Sequence, residues 1–167
     1  IDFRPVYNTY VDVVIEHLGG KSFRDTAEEE LIKRFLETVR PSCWSKAKPE
    51  LKKDKIIFPD IVTWDSIHYQ YYKEYDFEYD SDRKVSQFCE GIAFGADDVL
   101  CGSIEMIMGL DTRNVDISRW YDLTTSNALN IKFYANGRID VKFKDSATAE
   151  SCFKRLRLNE IKLRDEN

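Results

Sequence analysis

The residues best suited to chemistry are carboxylates that stand beside a lysine. Pro59-Asp60 is followed by Asp82-Arg83-Lys84, which fits a P-D … (D/E)-x-K constellation. In that arrangement two carboxylates hold a divalent cation and the lysine helps activate water, as in some metal-dependent nucleases. Asp140-Val141-Lys142 offers a second D-x-K triplet, in a stretch that reads as a strand. In a chain that is 33% charged, however, such triplets arise by composition alone, and Asp82 falls where a helix is expected to start. The two histidines, His17 and His68, lie in predicted helices with no nucleophile or acid partner in view. No P-loop, G-x-G-x-x-G, H-E-x-x-H or G-x-S-x-G pattern is present. No residue is therefore assigned as catalytic, and no metal or other cofactor is implied.

Cys43, Cys89, Cys101 and Cys152 are far apart, form no C-x-x-C pair and have no ligand-like spacing to either histidine. Three of them fall on apolar faces of predicted helices, so the expectation is buried free thiols that behave as small hydrophobes. Unpaired thiols suit the reducing cytoplasm.

Two charged clusters suit binding. Asn130, Lys132, Tyr134, Arg138, Asp140, Lys142 and Lys144 share one face of a predicted hairpin, and Lys132, Tyr134, Arg138, Lys142 and Lys144 would contact nucleic acid. Glu74, Asp76, Glu78, Asp80 and Asp82 fall on even positions opposite Tyr75, Phe77 and Tyr79. On an extended arm they would imitate a phosphate track and bind a basic protein, and a solvated acidic surface is the plainer reading.

The hairpin that positions the first cluster is readable to its register. With a two-residue loop Phe133 would face Asp140 and Ile131 would face Lys142, which a half-buried sheet disfavours. A three-residue turn, Ala135-Asn136-Gly137, instead pairs Phe133 with Ile139, Ile131 with Val141 and Leu129 with Phe143 on one apolar face. Gly137 then takes positive φ. Asp145 or Ser146 caps a helix whose Ala149, Cys152, Phe153 and Leu156 lie on that face. A short strand is expected over Glu160 to Leu163.

Upstream, Pro5 opens a helix through Val6, Tyr10, Val13, Val14 and Leu18 that ends at Gly19-Gly20. Thr26 with Glu29 gives a capping-box pattern for a second helix, with Leu31, Phe35, Leu36 and Val39 as its stripe and Pro41 as its stop. The connector to Pro59 holds Lys46, Lys48, Lys52, Lys53 and Lys55 and reads as a solvated loop or short helix, or else as a phosphate-contacting patch. Trp64, Ile67, Tyr71 and Tyr75 predict a helix over 63–75 with an aromatic core stripe, followed by an alternating arm over 75–80. Val85, Phe88, Cys89 and Ile92 predict a helix from Ser81 or Asp82 to Gly95. Asp97 is expected to cap another helix through Val99, Leu100, Ser103, Ile104, Ile107 and Met108 to Gly109, and Asp116 a short one with Ile117, Trp120 and Tyr121.

The result is an α+β fold in one domain: a helical pair over 5–40, a basic connector over 41–59, an aromatic and acidic helical body over 60–128, and a β-hairpin covered by a helix over 129–164. At 167 residues with 43% hydrophobic content the chain can bury a sizeable core. It begins at Ile1 rather than Met, which points to a fragment or processed product. No signal peptide and no apolar run near the ~20 residues of a membrane span is visible, so no membrane partner is expected. Net charge is −5, distributed as +1 over 1–59, −9 over 60–129 and +3 over 130–167. That asymmetry permits local anion binding on the hairpin without global attraction to nucleic acid.

Two resemblances attach to the C-terminal unit. Hairpin, helix and short strand, with GRIDVKFKDSATAESCFKRL, resemble the second half of an RNA-recognition motif. In that family outward strand positions carry base-stacking aromatics; here Arg138 and Asp140 stand there, and Tyr134 alone is left to stack. FYANGRIDVKF, after a helical body, is similar to an uncharacterised domain of phage and mobile-element proteins often found joined to or near DNA methyltransferases. That resemblance implies a DNA-transaction context. The chain has no methyltransferase motif of its own, so it would be an accessory part. The expected function is thus a non-catalytic accessory or binding module that contacts DNA or RNA with modest affinity, or a DNA-modifying partner. An acidic protein-interaction or inhibitor protein directed at a nuclease is the alternative, and a nuclease is third.

Overall fold

The computed structural model describes residues 22–40 and 47–162. In chain order these form α1 (Phe23–Val39), β1 (Glu50–Lys52), β2 (Lys55–Phe58), α2 (Ser66–Tyr72), α3 (Ser81–Asp97), a 3₁₀ turn (Ile104–Met106), β3 (Tyr121–Asp122), β4 (Ala128–Phe133), β5 (Ile139–Phe143), α4 (Ser146–Arg155) and a second 3₁₀ turn (Leu158–Glu160). The five strands form one antiparallel sheet in the order β1-β2-β5-β4-β3. The fold is α+β. The expected first helix, His17, Cys43, Lys46 and Leu163 lie outside the described residues.

The hairpin of β4 and β5 has the expected three-residue turn. Phe133 pairs with Ile139 and Ile131 with Val141. The Tyr134 amide donates to the Arg138 carbonyl, the Gly137 amide donates to the Tyr134 carbonyl, and Gly137 sits at φ 88°. The third expected pair is displaced. Phe143 faces Ala128, because the register shifts between Ala128 and Asn130 and turns Leu129 outward. A bulge of this kind keeps the smaller Ala128 in the core and sharpens the strand's bend.

The connector expected as loop or helix supplies β1 and β2 instead. Lys55–Phe58 reads KIIF, and its Ile56 and Phe58 enter the core beside Val141 and Ile139. This short strand has too few residues for its period to be read alone. Its partner, β5, decides its conformation.

Helices α3 and α4 pack on the inner face of the sheet, and α1 packs on α3. Helix α1 starts earlier than expected: Ser22 and Asp25 form the capping box, not Thr26 and Glu29. Phe35 of α1, Phe58 of β2 and Phe88 of α3 pack ring to ring, with centroids 4.7–6.0 Å apart. Gly91 and Gly95 let α3 approach its neighbours, since a Cβ would fall 2.1 Å from the Phe35 ring and 2.5 Å from Cys152 Sγ, respectively. Helix α4 is capped by Asp145, which accepts from Thr148 N at 2.7 Å, and buries Ala149 and Cys152. Of the strand expected over Glu160 to Leu163, Glu160 ends a 3₁₀ turn and Ile161 and Lys162 form no strand.

Three helix expectations in the middle of the chain are corrected. The helix expected over 63–75 spans only 66–72, because the Asp65 carboxylate accepts from Ile67 N and His68 N and starts it there. Trp64 and Tyr75 instead belong to extended segments, pairing with Phe77 and Val115. No helix follows Asp97: that residue ends α3, and its carboxylate accepts from Ser126 N and Asn127 N at 2.7 and 3.0 Å. Gly102 then passes so close to the Cys89 carbonyl that a Cβ there would lie 2.7 Å away. Cys101 is exposed, against the expectation of a buried thiol, whereas Cys89 and Cys152 are buried. No helix follows Asp116; its carboxylate caps Ser118 locally, and Tyr121 enters β3.

Candidate anion-binding face of the sheet

Strand alternation sends Ile56, Phe58, Ile131, Phe133, Ile139, Val141 and Phe143 into the core and leaves the alternate residues on the opposite face. On that face Ile57 and Asp140 are buried, while Lys52 and Lys142 are exposed. The cross-strand pairs there are Lys52 with Lys55, Lys55 with Lys142, Asn130 with Lys142, Lys132 with Asp140, and Ile57 with Asp140. Three lysines thus follow one another across β1, β2 and β5. Like charges placed directly opposite on adjacent strands lower stability, so such a rung calls for an explanation. Lys55 gains partial relief from Asp140, with Nζ 3.3 Å from Oδ2. Lys52 and Lys142 have no carboxylate partner among the described residues.

Beside the rung lies a closed polar cluster. Asp140, on the central strand, is 0% exposed. Arg138 Nε and Nη2 donate to its two carboxylate oxygens at 2.7 and 2.8 Å. The Tyr134 hydroxyl donates to Oδ2 at 3.0 Å. Burial alone would raise the Asp140 pKa. The Arg138 guanidinium, the Tyr134 hydroxyl and the Lys55 ammonium outweigh it and hold the carboxyl below its ordinary value. Burial, and then the hydrogen bond to Asp140, push the Tyr134 hydroxyl up. The bond to Asp140 likewise raises Arg138, so this pair is ionised at any ordinary pH. The Tyr134 ring is flanked by cations, with Arg138 Cζ 4.5 Å and Lys132 Nζ 5.3 Å from its centroid. Its π face therefore already carries cation–π contacts.

The fold thus brings Lys132, Tyr134, Arg138 and Lys142 onto one surface, as the alternation predicts. Arg138 and Tyr134, however, are turned inward to Asp140. Lys144 stands past the end of β5, where its amide donates to the Asn127 carbonyl, and it lines a hollow with Asp145 and Arg155. Lys52 and Lys55 join the surface without having been picked out as site residues. Their signal was the basic connector itself, whose alternative reading was a phosphate-contacting patch.

Comparison with protein-family models, with curated proteins and with solved structures gave no match. Function must therefore be read from the geometry.

The acidic positions do not form one track. Glu74 and Asp76 converge on His68, with oxygens 3.2 Å from Nε2 and 3.8 Å from Nδ1, respectively. Asp80 pairs with Arg83 at 2.7 Å, while Glu78 is exposed. Of the D-x-K residues, Asp60 and Lys84 line one cleft of about 460 Å³, together with Arg34, Arg40 and Arg83. Asp82 is not in its wall, and the Asp140 carboxylate is occupied by Arg138, Tyr134 and Lys55. No three His, Cys, Asp or Glu side chains among the described residues are grouped as metal ligands. No described helix is long and apolar enough to cross a membrane.

Proposed function

We propose that this protein is a non-catalytic binding module that holds nucleic-acid phosphates on the outer face of its sheet. The observation that carries the reading is the lysine rung Lys52–Lys55–Lys142, with Lys132 beside it. An anion bridging neighbouring ammonium groups relieves the repulsion that the strand register builds in. The stacking surface of Tyr134 is already held by Arg138 and Lys132, so the contacts fall on the backbone and not the bases, and binding is independent of sequence. The face also carries Glu50, Asp122 and Asp140, which keeps affinity modest. The DNA-transaction context implied by FYANGRIDVKF fits an accessory part of this kind, working beside a DNA-modifying partner.

Fluorescence anisotropy with labelled duplex DNA across a salt series tests it. Three lysine–phosphate contacts give a log–log slope of about −2.7. Lys52→Glu with Lys142→Glu should abolish that binding while the melting temperature holds or rises. Binding unchanged in the double variant, or none at low salt, overturns the proposal.

A further inference from the structure

A second surface, independent of the lysine rung, stands on α2. This helix buries no residue. Ile67, Tyr71 and Tyr72 are 67%, 74% and 67% exposed. Ile67 and Tyr71, one turn apart, share a face of this short helix, and Tyr72 is exposed beside it; large exposed side chains grouped in this way mark an interaction site. The segments on either side of the helix are tied to the rest of the fold. Asp65 caps its start, Lys73 closes its end in the left-handed conformation, and the following residues run between two extended neighbours, Trp64 pairing with Phe77 and Tyr75 with Val115. The tyrosines are thus presented between two anchored segments. His68 backs Tyr72, with ring centroids 4.8 Å apart.

The charge around α2 chooses the partner. From Asp65 to Glu78, the stretch that holds α2, the chain carries four carboxylates and one lysine. Glu74 and Asp76 sit at the helix base on His68. That lysine shows in this chain the contact a partner would make, since Lys73 Nζ lies 5.3 Å from the Tyr69 ring centroid. An acidic field draws cations and repels phosphate, so nucleic acid and anionic lipid are excluded as occupants. We propose that α2 docks a cationic protein segment, whose arginine or lysine side chains lie over Tyr71 and Tyr72 while its stem carbons cover Ile67. The exposed tyrosines make the contact and the carboxylates steer it.

The test uses the full chain and a fluorescein-labelled arginine–glycine repeat peptide, read by anisotropy at physiological salt. Tyr71→Ala with Tyr72→Ala should weaken binding about tenfold, from a factor of about two to five for each exposed cation–π contact. Tyr71→Phe with Tyr72→Phe keeps the rings and should keep the binding, which separates docking from loss of fold. Glu150→Gln with Glu160→Gln, on α4 and the turn after it, removes two negative charges elsewhere and should change affinity by less than about twofold. Equal affinity of the alanine pair and the native chain overturns the proposal. So does a loss in the glutamine pair as large as in the alanine pair, which would mark attraction to net charge only. Self-association of the chain that the alanine pair abolishes also overturns it, by assigning the face to a second copy.

Discussion

Replacing Gly137 by alanine tests the hairpin and its attachment together. Gly137 has φ 88°, and a left-handed non-glycine residue costs about 1–2 kcal/mol. The new Cβ would lie 2.3 Å from the Val62 carbonyl oxygen, a backbone atom that cannot swing aside. The segment must therefore move, and it is fastened at this point. The Gly137 carbonyl accepts from Ile61 N at 2.9 Å and from Val62 N at 3.1 Å. Each such bond contributes about 0.5–1.5 kcal/mol. Strain and weakened bonds together give a loss of roughly 2–5 kcal/mol, or a melting point lower by roughly 5–15 °C for a chain of this size. Thermal and urea unfolding followed by circular dichroism measure both quantities. Gly137→Asn separates the two causes, because asparagine accepts the left-handed region but still carries the Cβ, so it should fall between alanine and glycine. An alanine variant within about 1 kcal/mol of the native protein refutes the turn geometry. An asparagine variant equal to native refutes the contact with Val62.

Asp140 gives a pH signature. Its folded-state pKa is depressed, so its contribution is complete above the unfolded value, about 3.9, and is lost as pH falls through the folded value. Asp140→Asn should therefore lose about 2–3 kcal/mol at neutral pH, below the usual figure for a fully buried pair because Arg138 and Lys55 are each about one-third exposed. The gap to native should close on acidification below about pH 4; parallel pH profiles in urea unfolding would rule this out. The cysteines should separate by reactivity. Burial pushes the Cys152 thiol up to about 12 and Cys89 higher still, while Cys101 is exposed. Mass-resolved alkylation of the folded protein should modify Cys101 and spare Cys89 and Cys152 until denaturant is added.

The legible parts of the fold were those where local chemistry and burial agree. Asn136-Gly137 with the alternation next to the turn, Asp145 before an apolar helical stripe, and the stripe Val85, Phe88, Cys89 and Ile92 lie as read, although that helix runs past Gly95 to Asp97. The misread parts share one cause. Trp64, Ile67, Tyr71 and Tyr75 have true helical spacing, yet Ile67 and Tyr71 face water while Trp64 and Tyr75 pack from extended segments. A period tells which residues share a face but not which side of the face is wet. Asp97 has the chemistry of a helix cap and does cap amides, but those of Ser126 and Asn127, far along the chain. The carboxylate's preference was readable; its partner was a matter of packing.

The candidate sites divide the same way. Sequence alone determined that Lys132, Tyr134, Arg138, Asp140 and Lys142 share a sheet face, because side chains alternate along a strand whatever lies beside it. Only the tertiary structure decided what that face is. Strand β2 pairs with β5 across more than eighty residues of chain and brings Lys55 beside Lys142 and over Asp140. That one long-range pairing completes the lysine rung. It also helps Arg138 and Tyr134 bury the carboxylate they enclose, because a charge can leave water only where its partners arrive from other strands.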